Sequence, residues 1–109
     1  MNNSILSICP NKSDRDERHA LLLAADYEVT SIASTAEAFL LLEKQVFGLI
    51  LLDSCFAKDA ANRSLLRDKG RVLALKFPLG PEVLLHAISS LVWRPKQANR
   101  RANAAMAGL

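Results

Sequence analysis

The sequence predicts an α/β domain, a parallel sheet with helices on both faces. Strand-like and helix-like segments alternate four times along the 109 residues, the order in which right-handed crossovers build a parallel sheet. Leu49-Ile50-Leu51-Leu52 is a continuous apolar run ending on Asp53, as a strand buried on both faces reads. At 50% hydrophobic and 23% charged residues, the chain suits one compact core. Disordered, collagen-like and disulfide-dense classes are excluded.

Ser4–Ile8 is the first strand, stopped by Cys9-Pro10-Asn11, because proline lacks the N–H a ladder needs and Asn favours turns. Ser13 and Asp16 have the spacing of a capping box. Arg15–Ala25 continues as a helix with Ala20, Leu21, Leu22 and Ala24 or Ala25 on its apolar face, closed by Asp26. Tyr27–Ile32 alternates with period two and is rich in β-branched residues, a second strand. Ser34 and Glu37 cap a second helix over Ala36–Gln45, with Ala38, Leu41 and Leu42 inward.

After the central strand Leu49–Leu52, Asn62–Lys69 is a short helix with Leu65 and Leu66 inward and Gly70 as its stop. Arg71–Leu75 is a further buried strand. Gly80-Pro81 starts the last helix, whose apolar stripe is Val83, Leu84, Ala87, Ile88 and Leu91 and which ends near Trp93. The expected strand order is second, first, third, fourth. Ligands of such sheets gather at the carboxyl ends of the strands, here Cys9, Ile32–Ser34, Asp53 and Lys76.

The net charge of +3 is unevenly spread. Arg94, Lys96, Arg100 and Arg101 fall beyond Trp93, leaving 10 basic against 11 acidic residues in the body. Residues 1–93 therefore form the domain and residues 94–109 a basic Ala/Asn/Arg tail that can touch nucleic acid or an acidic partner. Two cysteines and an N-terminus with neither a basic nor a long apolar segment point to a soluble protein of the reducing cytoplasm. No apolar run approaches the length of a membrane span.

On these residues the chain resembles the receiver domains of two-component response regulators, a flavodoxin-like fold. Ile5–Tyr27 (ILSICPNKSDRDERHALLLAADY) has the receiver spacing from first strand through first helix without a gap. Tyr27–Asp53 (YEVTSIASTAEAFLLLEKQVFGLILLD) matches the next three elements, with the Tyr-Glu-Val opening, the Ala-Glu-Ala-Phe helix start and the Leu-Ile-Leu-Leu-Asp ending. The resemblance implies that Asp53 occupies the phosphoacceptor position. Lys76-Phe77-Pro78 with Pro81-Glu82-Val83-Leu84-Leu85 is similar to the Lys-Pro-Phe segment and last helix, which makes Lys76 a candidate phosphoryl contact, with the proline one place late.

Three departures accompany the resemblance. The acidic pair that holds a divalent cation in receivers is replaced by Cys9 and Pro10, or Asn11 if the alignment slips by one. Magnesium wants oxygen ligands including carboxylates, so Asp53 alone makes a poor site; no cofactor is expected, with weak magnesium binding the disfavoured alternative. Between Asp53 and Lys76 the chain is shorter by about one strand–helix unit, leaving Arg71–Leu75 as the fourth or the fifth receiver strand. Ala74 or Leu75 stands where receivers carry a switch Ser or Thr.

Each signal has a plainer reading. Asp53 is either a phosphoacceptor or a carboxylate capping the next loop through backbone N–H groups. Lys76 is its ion-pair partner or a solvated side chain. Cys9 and Cys55 end neighbouring strands, so their sulfurs could meet, or they are two unrelated thiols. His19 and His86 have no second candidate ligand near them in sequence and read as solvated or core-edge residues. Ser54 and Ser64 lack a glycine-rich elbow, and the four glycines are isolated, so hydrolase and phosphate-loop chemistry find no support.

The expected function is a non-enzymatic, degenerate receiver-like module of phosphorelay type, acting through protein contacts with a histidine kinase or an output protein. The alternatives are an active phosphoacceptor using Asp53 and a nucleic-acid adaptor using the basic tail. A shortened sheet leaves apolar surface to cover. A homodimer is therefore expected, with Leu84, Ile88 and Leu91 as its contacts.

Overall fold

A computed structural model describes residues 3–57, 60–75 and 79–91. Four strands, β1 (Ser4–Ile8), β2 (Glu28–Ile32), β3 (Leu49–Leu52) and β4 (Val72–Ala74), form one parallel sheet in the order β2-β1-β3-β4. Each strand coincides with the sequence expectation to within a residue at either end. β4 stands beside β3, so the segment expected over Arg71–Leu75 takes the fourth place in the sheet.

Helices α1 (Lys12–Ala24) and α5 (Pro81–Ser89) cover one face. There Leu22, Leu84 and Ile88 pack on Ile5, Leu49 and Leu51. Helices α2 (Thr35–Leu42) and α4 (Ala60–Arg67) cover the other, with Ala38 and Leu66 against Leu6, Ile8, Ile50 and Leu52. A short α3 (Ser54–Ala57) leads out of β3. The two-sided cover explains why all four β3 residues are inaccessible to solvent. In a strand, successive side chains point to opposite faces.

Several boundaries differ from expectation for local reasons. α1 is capped by Asn11, whose Oδ1 accepts the Asp14 N–H at 3.0 Å, and it begins two residues before the Ser13–Asp16 spacing suggested. Pro10 has already turned the chain, and Asp16 instead pairs with Lys12 one helical turn away at 2.9 Å. Asp26 closes α1 in a left-handed conformation, φ 70°, which short polar side chains tolerate. The Ser34 cap of α2 is present as expected, accepting the Glu37 N–H at 3.3 Å. α2 is shorter than its expected Ala36–Gln45 span and ends at Leu42.

α4 is shifted two residues towards the N-terminus of Asn62–Lys69. Only Leu66 points inward, while Leu65 is 52% exposed, because an eight-residue helix lying against the sheet presents one row of residues to it. Among the described residues no glycine has a positive φ, so Gly70 is not a left-handed stop. α5 ends at Ser89 instead of near Trp93, and Val83 lies outside its buried row of Leu84 and Ile88.

Leu84 and Ile88, expected to meet a second copy, are buried in the chain's own core, and Leu91 is half-buried against it. Their burial beneath the sheet answers the need for cover that motivated a dimer through these side chains. Lys76, Trp93 and the basic tail from residue 94 lie outside the described residues. Among the described residues no helix is long and apolar enough to cross a membrane.

The contrast within α4 is testable. Leu66→Ala is expected to destabilise the domain by about 2–5 kcal/mol in urea unfolding, as buried leucine truncations do. Leu65→Ala should stay within about 0.5 kcal/mol of the parent, as surface substitutions do.

Candidate functional site

The parallel register brings the ends of β1 and β3 side by side. Ile8 pairs with Leu52, the Asp53 N–H donates to the Ile8 carbonyl at 3.1 Å, and the Cys9 N–H donates to Ile32 at 3.0 Å. Cys9, Asp53 and the start of α1 therefore meet at the carboxyl edge of the sheet, where α/β folds place their ligands.

α1 runs back over the sheet from that edge. Its residues Arg15, Arg18 and Leu22, with Ala25 at its C-cap, lie on one stripe and are buried or half-buried, whereas Ala20 and Ala24 of the expected apolar face are exposed. The stripe is apolar only where the helix overlies the apolar sheet. At the carboxyl edge it carries two arginines. Arg15 Nη1 donates to the Cys9 carbonyl at 3.0 Å and to the Pro10 carbonyl at 3.3 Å, fastening the β1–α1 turn.

Arg18 reaches Asp53 itself. Both guanidinium nitrogens Nη1 and Nη2 lie 3.3 Å from Oδ1, and the two side chains are only 12% and 13% exposed. The Cys9 thiol lies 3.8 Å from the same oxygen and 3.7 Å from the Asn11 carbonyl. On the other side, the Cys55 N–H donates to Oδ2 at 3.1 Å. This last bond is the loop-capping role expected of a carboxylate at a strand end.

These contacts set the protonation states. Burial pushes the Asp53 carboxyl up, but the Cys55 N–H, the Cys55 side chain and the Arg18 guanidinium together outweigh it and hold the group below its ordinary value. Burial pushes the Cys9 thiol up and the Asp53 charge adds to that, with Arg18 offsetting part. Cys9 is thus a buried, protonated thiol and Cys55 an exposed one. Neither is in a disulfide, and both touch Asp53. The edge of the site is a salt-bridged carboxylate among donors. Among the described residues no group of three or more His, Cys, Asp or Glu side chains is placed to hold a metal ion.

Of the residues singled out in the sequence, Asp53, Cys9, Pro10 and Cys55 are brought together, and Lys76 lies outside the described residues. His19 is half-buried between α1 and β2, its Nδ1 2.6 Å from the Ser31 hydroxyl, and His86 is exposed. The partner that the sequence reading did not single out is Arg18. Its signal was periodicity: Arg15, Arg18, Leu22 and Ala25 repeat at helical spacing, so an inward stripe containing Leu22 also contains Arg18.

No protein-family model matches the sequence, and no curated protein matches it. Among solved structures, the chain is similar to the solution structure of a response regulator protein from Burkholderia multivorans, with 24% identity and a TM-score of 0.57 over 84% of this chain and 95% of that one. The fold is receiver-like. The crystal structure of an adenylate cyclase from Rhodopirellula baltica is similar too, with 17% identity and a TM-score of 0.54, covering 97% of this chain and 98% of that one. At these identities the likeness is one of fold, and in this receiver-like frame Asp53 ends the third strand.

Two measurements check the site. Under native conditions, intact mass after iodoacetamide treatment should show one alkylation, at exposed Cys55, and a second at Cys9 only in denaturant. The acid limb of stability should also depend on Asp53. Its folded pKa lies below the unfolded value of about 3.9, so the stability it adds is fully present above that value. It is lost as pH falls through the lower folded pKa. Asp53→Asn is expected to lower the denaturation midpoint at neutral pH and to lose less than the parent below about pH 4.

Proposed function

We propose that the chain is a receiver-like signalling module of two-component type, shortened and degenerate, that works through protein–protein contacts and catalyses no reaction. The observation that carries this reading is the state of Asp53. The carboxylate at the position that resemblance gives to the phosphoacceptor is already engaged by Arg18, by the Cys55 N–H and by the Cys9 thiol. Phosphoryl transfer to a carboxylate needs an oxygen free to attack in line and a cation to offset the charge that develops on the phosphoryl oxygens. Oδ1 is covered by the guanidinium, and Oδ2 is tied to the turn that begins α3.

Ala74 and Leu75 add to the reading. Ala74 is half-buried and Leu75 is 3% exposed. Neither has a hydroxyl with which to follow a change at Asp53, so a signal passing through this domain is one of docking and not of phosphorylation-driven rearrangement. The surface that this reading assigns to a protein partner, a second copy included, is the edge of β4. Among the described residues Val72–Ala74 pairs only with β3, and an open edge strand is a template for an added strand.

Incubating the full chain with acetyl phosphate and magnesium and following intact mass tests the reading. No phosphoryl adduct is expected, whether or not the metal is present. An adduct that disappears in Asp53→Asn would establish an active phosphoacceptor in its place. Light scattering at micromolar concentration is expected to give a dimer that Ala74→Pro, which removes a β4 N–H turned away from β3, converts to monomer.

A further inference from the structure

The stripe that brings Arg18 inward gives Asp53 a positive charge supplied by the chain itself. We propose that Arg18 is the resident counter-ion of Asp53, standing where a divalent cation would have to sit, so that the site is charge-balanced with no metal. The inference rests on the reading above in one respect only, the receiver-like placement of Asp53. Its substance is the geometry around the carboxylate.

That geometry does not suit magnesium. The ion demands near-octahedral oxygen ligation, with one or two carboxylates among its ligands. Around Asp53 the groups within reach are hydrogen-bond donors: two guanidinium N–H groups and a thiol on Oδ1, and a backbone N–H on Oδ2. Each carboxylate oxygen has about two lone-pair sites, so Oδ1, crowded by three donors, has little to offer a cation, and Oδ2 already accepts the Cys55 N–H. A divalent ion at Oδ1 would also meet the positive guanidinium of Arg18.

The guanidinium has a second advantage over a bound ion. It is tethered through α1, whose inward stripe is anchored at one end by buried Leu22 and at the other by the Arg15 bonds to Cys9 and Pro10. Its local concentration therefore does not depend on what is dissolved outside. The nearest further carboxylate on the β1–α1 turn is Asp14, in the first turn of α1, and it is exposed.

Thermal midpoints of the full chain with and without millimolar magnesium chloride decide the matter, because a ligand specific to the native state raises stability by mass action. The parent chain is expected to show no rise. A Cys9→Asp, Arg18→Ala variant, which removes the guanidinium and adds a carboxylate beside Asp53, is expected to gain a magnesium-dependent rise that vanishes when Asp53→Asn is added. If that variant is unfolded in the absence of metal, recovery of its helical circular dichroism on adding magnesium is the equivalent positive result.

Carbon-13 NMR titration of the Asp53 carboxyl separates a counter-ion from a merely structural arginine. Arg18→Lys should leave its titration near that of the parent, and Arg18→Gln should move it to higher pH. A magnesium-dependent rise in the parent that is lost in Asp53→Asn overturns the proposal, as does an Asp53 titration unmoved in Arg18→Gln. Phosphorylation of the parent without magnesium would sink the docking reading and leave the role of Arg18 standing. Magnesium binding by a parent that takes up no phosphoryl group would do the reverse.

Discussion

Everything in this molecule is arranged around a strand that has no face to give to water. Leu49, Ile50, Leu51 and Leu52 are all fully buried, which requires an apolar layer on each side of the sheet. α1 and α5 supply one layer, α2 and α4 the other. A strand buried on both sides also sits in the interior of the sheet, between β1 and β4. From that constraint follows the position of Asp53. The apolar run cannot continue past the end of the sheet, and the first polar residue after it emerges at the carboxyl edge.

Emerging there does not put Asp53 in open water. Its side chain is mostly covered, and an ionised group in such a place needs compensation by opposite charge and hydrogen bonds. Arg18 supplies the charge and the Cys55 N–H a further bond. The energetic weight of such a pair lies in the asymmetry between keeping and halving it. Removing one partner of a largely buried pair leaves an uncompensated charge, at a cost of up to about 3–5 kcal/mol when burial is complete. The pair thus locks α1 to the end of β3, while Arg15, one helical turn earlier, fastens α1 to the β1–α1 turn.

α1 consequently has a divided character. Its second half is an ordinary amphipathic helix, with Leu22 under the sheet and Leu23 half exposed. Its first half overlies polar backbone at the carboxyl edge, so the same inward stripe there holds arginine. Long arginine side chains suit such a boundary, with apolar stems lying against the core and planar heads reaching carbonyl and carboxylate oxygens. A helix whose inner stripe changes from arginine to leucine along its length marks where a core ends and a site begins.

Much of the fold was legible in the sequence because local patterns and tertiary structure agree. The apolar run at Leu49–Leu52, the alternation in Tyr27–Ile32, Pro81 after Gly80 and the Ser34 cap each specify an element from its own residues, and a parallel sheet follows from their order. Asp53 was legible for the same reason, as the residue that ends the central strand. Arg18 was not, nor were the buried places of Leu84 and Ile88 or the outward turn of Leu65. A helix pattern says which residues share a stripe but not which stripe the sheet will cover or what lies at each level beneath it. That is decided by the angle and height at which helices pack, a property of the assembled layers. Sequence alone determined that a carboxylate stands at the end of a buried strand; only the tertiary structure decided that a guanidinium 35 residues away neutralises it, because charge compensation acts through space and is blind to chain order.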